Sequence, residues 1–179
     1  TPELSEFADL LPFKLTTAQE RVIEDVFKDM SGEKPMSRLI QGDVGSGKTM
    51  VAAAACWAVW KSGHQSAFMV PTEILARQHY ESLSRLFKPL GIRSVLLTGS
   101  LGVKAKREAL RQLEDGTADI AIGTHALISE GVTFKDLALI VADEQHRFGV
   151  QQRAALTDKG ASPHVLVMSA TPIPRTLAL

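Results

Sequence analysis

The chain has 179 residues, with 20 Lys+Arg balanced by 20 Asp+Glu, and 45% of its residues are hydrophobic against 22% charged. These values describe a globular domain with a sizeable core, and they exclude a protein drawn to nucleic acid by its overall field, so any such contact must be local. The most apolar run, Val51 to Val59, is too short to cross a membrane, and the single Cys56 rules out a disulfide or cysteine–metal framework, leaving a reducing cytoplasm as the default compartment.

Residues 1–14 contain Pro2 and Pro12 and no sustained hydrophobic period, and read as a linker from an upstream domain; residues 15–179 read as one lobe. A helix begins at Thr16 or Thr17, because Thr16-x-x-Gln19 and Thr17-x-x-Glu20 both match a capping box. Val22, Ile23, Val26, Phe27 and Met30 then share one helical face, and Gly32 ends it. Met36 to Gln41 reads as a strand and Thr49 to Lys61 as a helix. Strands follow at Ala67–Val70, Ser94–Leu97, Asp119–Gly123, Leu137–Ala142 and Val165–Met168. Between them lie helices at Glu73–Lys88, Gly102–Asp115 and Val150–Thr157, and a turn at His125–Ser129. Alternation of helices with uniformly apolar strands predicts a central, mostly parallel sheet covered by helices on both faces. In such a sheet ligands sit at the carboxyl ends of the strands. The last residues, Thr176 to Leu179, resemble the opening of another helix, and a fragment of a longer chain is expected.

Between the first strand and its helix lies Gly42-Asp43-Val44-Gly45-Ser46-Gly47-Lys48-Thr49, which fits G-x-x-x-x-G-K-[ST]. Glycines let the backbone bend so that several N–H groups converge on a polyphosphate. Lys48 then reaches the outer phosphates, and the hydroxyl of Thr49 is a ligand for Mg²⁺. The helix N-terminus adds a favourable field for the anion. The strand Leu137–Ala142 runs directly into Asp143-Glu144. Beside such a loop, Asp143 is suited to hold the metal and Glu144 to polarise an attacking water.

With Gln145-His146 and Ser169-Ala170-Thr171, these segments resemble the first motor lobe of superfamily-2 helicases, a RecA-like P-loop fold. Leu11 to Gln19, Gln41 to Thr49, Asp143 to Gly149 and Thr171 to Thr176 narrow the resemblance to the RecG family of bacterial branched-DNA translocases. The transcription-repair coupling translocases share Arg147-Phe148-Gly149 and the Ile173 to Thr176 segment but usually carry a glutamate where this chain has Gln145.

The resemblance implies ATP and Mg²⁺ as cofactors, and catalytic roles for Lys48, Asp143, Glu144, Gln145 and His146, the last two coupling the nucleotide site to the rest of the motor. Gln19 reads the adenine edge or closes the capping box with Thr16; His146 is a coupling residue or a surface imidazole. Ser169, Ala170 and Thr171 relay changes around the γ-phosphate, from a strand that in the family lies beside the P-loop strand. Sequence-independent DNA contact is implied at Thr72, Arg77, Gln78, Gly99, Ser100, Thr124 and His125, with helix capping by Thr72 and Ser100 as the accompanying local role.

Lys104, Arg107 and Arg111 share a helical face that reads first as solvated. Trp57 and Trp60 read as core or interface, and His64, His79 and His164 show no metal spacing. By the same resemblance the intact protein is a monomeric, cytoplasmic, nucleoid-associated ATP-dependent helicase acting on forks and Holliday junctions. Its partners are DNA and, within the polypeptide, a second RecA-like lobe and a wedge domain. A small-molecule kinase fits the loop but not the Asp143–His146 quartet. A non-catalytic nucleotide- or DNA-binding module remains the plainer alternative. Without a second lobe to supply an arginine, worth roughly 10³–10⁵ in rate in such motors, the chain alone is expected to hydrolyse ATP barely.

Overall fold

The computed structural model describes residues 4–11, 14–32, 34, 36–41, 48–124, 127, 132–143 and 163–169. Six strands are seen among the described residues: β1 (Ser37–Gln41), β2 (Gln65–Met69), β3 (Ser94–Leu97), β4 (Ile120–Gly123), β5 (Leu137–Asp143) and β6 (His164–Ser169). They form one sheet in the order β1-β6-β5-β2-β4-β3, and every pairing is parallel. Five helices accompany them among the described residues: α1 (Leu4–Asp9), α2 (Thr17–Met30), α3 (Lys48–Lys61), α4 (Glu73–Phe87) and α5 (Val103–Asp115). This is the helix-covered, doubly wound sheet that the alternating pattern predicts.

The period-2 alternation of the strands divides the core. Phe68, Ile122, Val141 and Leu166 face a layer built from α1 to α4, whereas Ala67, Ala121, Ile140 and Ala142 face α5 together with Leu127, Val132 and Phe134. The first layer packs closely because α3 presents small side chains, Ala52 to Ala55 and Cys56, all fully buried. Backbone and sheet can approach there as they could not around larger residues. Trp57 fills the remaining space, with Phe7 at 5.4 Å and Phe27 at 6.1 Å between ring centroids.

Three differences from the sequence reading have physical causes. Residues 1–14, read as a linker, include α1, whose Phe7 is fully buried and whose Glu6 pairs with Lys61. Leu4, Phe7, Ala8 and Leu11 form an apolar stripe at helical spacing that packs on the core, too short to show as a period between two prolines. Strand β2 starts at Gln65, earlier than expected, because that buried amide is satisfied. It donates to Leu113 O at 3.0 Å and Ala118 O at 2.8 Å, and accepts from Asp136 N at 2.8 Å. Pro89, expected to close α4, instead sits inside a 3-10 turn, Lys88–Leu90, that extends it. The expected closure of α5 at Gly116 is seen, with φ of 83°. The expected helix Val150–Thr157 lies outside the described residues.

Candidate nucleotide and nucleic-acid site

Strand order brings the phosphate-binding elements together. β6 lies between β1 and β5, pairing Gln41 with Ser169 on one side and Asp143 with Met168 on the other. The carboxyl ends of the P-loop strand, the Ser-Ala-Thr strand and the Asp-Glu strand are therefore consecutive. One intervening strand separates β1 from β5, about 10 Å at ordinary strand spacing, a gap that a triphosphate and its cation can bridge. Lys48 opens α3, so the helix begins at the residues meant to meet the phosphates. Thr49 is partly exposed beside an apolar cleft of about 500 Å³, walled by Met50 and Ala53 of α3, Leu83 and Leu86 of α4, and Leu10 after α1.

Asp143 ends β5 with its side chain 18% exposed. Its carboxylate and the hydroxyl-bearing Thr49 are hard oxygen donors, the chemistry that Mg²⁺ selects. The donor set therefore fits the cation that the sequence implies. Gly42 to Gly47, Glu144 to His146, Ala170 and Thr171 lie outside the described residues.

Gln19 forms the capping box. Its backbone N–H donates to Thr16 Oγ1 at 3.1 Å, and its Oε1 accepts from Thr16 N at 2.9 Å. The local role is thus realised, and it leaves the amide Nε2 hydrogens as the part of Gln19 free to meet a base.

The residues read as DNA contacts gather at the same carboxyl edge, after β2, β3 and β4. Thr72 caps α4, its Oγ1 accepting from Leu75 N at 3.2 Å, and Arg77 and Gln78 are exposed on the following turn. Gly99 and Ser100 are exposed, but Thr98 between them and the strand is fully buried, and Thr124 is buried as well. His125 lies outside the described residues. Ser100 does not cap α5: the N-cap is Gly102, with no side-chain capping bond. Ser100 instead donates its N–H at 3.0 Å and its hydroxyl at 2.6 Å to the two oxygens of Glu73. Glu73 thereby ties the junction after β2 to the junction after β3, across β4.

Arg111, which shares a face of α5 with Lys104 and Arg107, is held by Glu108 and by Asp115 at 3.0 Å, as suits a solvated face. Those contacts draw the Glu108 carboxyl down to about 2, mainly through the Arg111 hydrogen bond.

Two residues here were not singled out from sequence. Glu73 stands within the Pro71-Thr72-Glu73 segment, and its place in the first turn of a helix was the only local signal. His79 was set aside as one of several scattered histidines. Its ring stacks on Phe68 at 4.8 Å, and its Nε2 lies 3.9 Å from Asp143 Oδ2. No spacing rule reaches from α4 to the end of β5.

A second cavity, of about 350 Å³, lies at the opposite, amino-terminal end of the sheet, lined by His64, Asp136 and His164 together with residues of α2 and α3. Burial and the neighbouring His64 lower the His164 basicity, and its Nδ1 accepts from Met36 N at 2.8 Å. That end carries none of the phosphate-binding elements.

Comparison with known proteins agrees with the geometry. Residues 16–179 match the family model described as DEAD/DEAH box helicase. The chain is 55% identical over 176 residues to the ATP-dependent DNA helicase RecG of Synechocystis sp., covering 98% of this chain and 21% of that protein. It is 55% identical over 177 residues to the ATP-dependent DNA helicase RecG of Bacillus subtilis, covering 99% and 26%. A solved structure of RecG bound to a three-way DNA junction superposes with a TM-score of 0.85 at 50% identity, covering 98% of this chain and 23% of that one. The chain thus spans about a fifth to a quarter of these relatives' length. With the P-loop strand, the Ser-Ala-Thr strand and the Asp-Glu strand side by side and the family model matched over residues 16–179, the chain belongs to the DEAD/DEAH box helicases.

Proposed function

We propose that this chain is the ATP-binding motor lobe of an ATP-dependent DNA translocase that remodels branched DNA, as at stalled forks and Holliday junctions. The observation that carries the reading is the adjacency of β1, β6 and β5, whose carboxyl ends hold the P-loop, Ser169 and Asp143 in consecutive places. In this reading Lys48 and the loop amides of Gly42 to Gly47 bind the phosphates of ATP, and Thr49 and Asp143 hold the Mg²⁺. When bound, the cation neutralises developing phosphate charge. Glu144 polarises the attacking water, while Gln145, His146, Ser169, Ala170 and Thr171 couple nucleotide state to the rest of the motor.

DNA phosphates lie along the junctions after β2, β3 and β4, where exposed helix N-termini and small polar groups hold a backbone without reading bases. The branched-DNA reading rests on similarity to RecG, one structure of which holds a three-way junction. The RecG-named relatives also favour it over the transcription-repair coupling alternative. A second RecA-like lobe and a wedge domain complete the machine in this reading.

The test is equilibrium binding of a fluorescent ATP analogue to the parent chain, Lys48→Ala and Asp143→Asn, with and without Mg²⁺. Lys48→Ala should weaken binding at least tenfold, and Asp143→Asn should remove the Mg²⁺-dependent part alone. Equal binding by all three chains refutes the assignment.

A further inference from the structure

We infer that His79 is a positioning residue for Asp143, through which α4, the helix that opens at the DNA-facing junction, sets the carboxylate meant for the metal. The inference rests on the nucleotide-site reading above and adds to it a connection that runs through the inside of the lobe.

The connection can be followed atom by atom. Thr72 caps α4 at the exposed carboxyl edge, and Arg77 and Gln78 stand on its second turn. His79, the next residue, turns the other way, toward the sheet, with its side chain only 15% exposed. Its ring lies on Phe68, tilted by 36° at 4.8 Å, and Phe68 is fully buried near the carboxyl end of β2. That contact fixes the plane of the imidazole. β2 pairs with β5 so that Phe68 faces Val141 and Met69 faces Ala142. Asp143 is the next residue along β5, and His79 Nε2 approaches its Oδ2 to 3.9 Å. At that distance the imidazole nitrogen and the carboxylate oxygen are neighbours just beyond direct hydrogen-bond reach.

Both members are more than four-fifths buried, so their interaction is screened less than a surface pair would be. Among the described residues no other side chain forms a hydrogen bond or ion pair with Asp143. A carboxylate takes its orientation from a fixed neighbour, as metal-holding carboxylates do from the groups behind them. A ligand that shifts the N-terminal turns of α4 therefore moves the group that aims Asp143. No wider relay is needed, since His79 belongs to α4 itself and its ring lies directly on Phe68 of β2.

The test uses the 179-residue chain and reads cation affinity rather than turnover. Mn²⁺ binding in the presence of ATP is followed by electron paramagnetic resonance for the parent, His79→Phe, His79→Gln and His79→Ala. His79→Phe keeps an aromatic ring on Phe68 and removes the nitrogen, so it separates positioning from packing. His79→Gln loses the ring but returns a nitrogen donor at comparable reach.

The expected result is a loss of about tenfold in Mn²⁺ affinity for His79→Phe and His79→Ala, the low end of what outer-shell substitutions cost. His79→Gln should recover most of that loss, and metal-free ATP binding should not change in any variant. An affinity for His79→Phe within twofold of the parent overturns the inference while leaving the nucleotide site intact. Absence of cation-dependent ATP binding in the folded parent chain overturns the nucleotide-site reading, and this inference with it.

Discussion

Gly123→Ala should be among the most damaging single-methyl additions in the molecule. Gly123 ends β4 and pairs with Leu97 of β3. A Cβ built on it falls inside contact distance of the Leu97 carbonyl oxygen, 3.0 Å from the carbonyl carbon and 3.2 Å from Leu127 Cγ. Ordinary carbon–carbon contacts lie at about 3.5–4.0 Å. The strands must therefore part by roughly half an ångström or more, and the obstacle is backbone rather than a side chain that can turn away. β4 cannot retreat freely, because β2 holds its other edge from Ile120 to Gly123.

Overpacking of well-filled sites costs about 1–3 kcal/mol, and a backbone clash flanked by fixed ladders belongs at the upper end, about 3 kcal/mol. With a urea m-value of about 2 kcal/mol/M, the unfolding midpoint should fall by about 1.5 M. The same displacement would move the junction carrying Thr124, so any DNA affinity should fall with stability. Urea unfolding followed by circular dichroism measures the effect. A midpoint shift below about 0.3 M with an unchanged m-value would refute the reasoning from the close approach.

Other consequences are separable. The Glu73–Ser100 clamp should show a coupling energy of about 1 kcal/mol in a double-mutant cycle of Glu73→Ala and Ser100→Ala, and strict additivity would mean that the clamp contributes nothing. Burial pushes the Cys56 thiol up from 9.0 to about 12, with the Ser66 hydroxyl pulling it partly back. Because the native thiol holds its proton more tightly than the unfolded one, its contribution is complete below about pH 9 and is lost as pH rises toward 12. The loss by pH 10 is on the order of 1 kcal/mol. Unfolding at pH 8 and pH 10 should therefore show a steeper loss for the parent than for Cys56→Ala, and parallel losses would contradict it.

How much could be read from sequence depended on how local each signal was. The P-loop, Asp143 at a strand end and the Thr16–Gln19 box all depend on neighbours within a few residues, and each local pattern names its own chemistry. The alternating elements gave a parallel sheet, but placing β6 against β1 required the family resemblance. Helix α1 escaped because one and a half turns between two prolines carry too little periodicity, although Phe7 is fully buried against Trp57. Gln65 looked like a loop residue because its three hydrogen-bond partners come from distant segments. Glu73 with Ser100, and His79 with Asp143, meet only after the sheet has ordered its strands, so no spacing along the chain could announce them.

The most direct test of the account maps Mg²⁺ and a non-hydrolysable ATP analogue onto the isotope-labelled chain by amide chemical shifts. The account predicts that the largest changes fall on residues 42–49, on Asp143 to His146 and on Ser169 to Thr171, with little change at His64, Asp136 and His164. Changes centred on the His64–Asp136–His164 end of the sheet, or none at all in the folded chain, would contradict it.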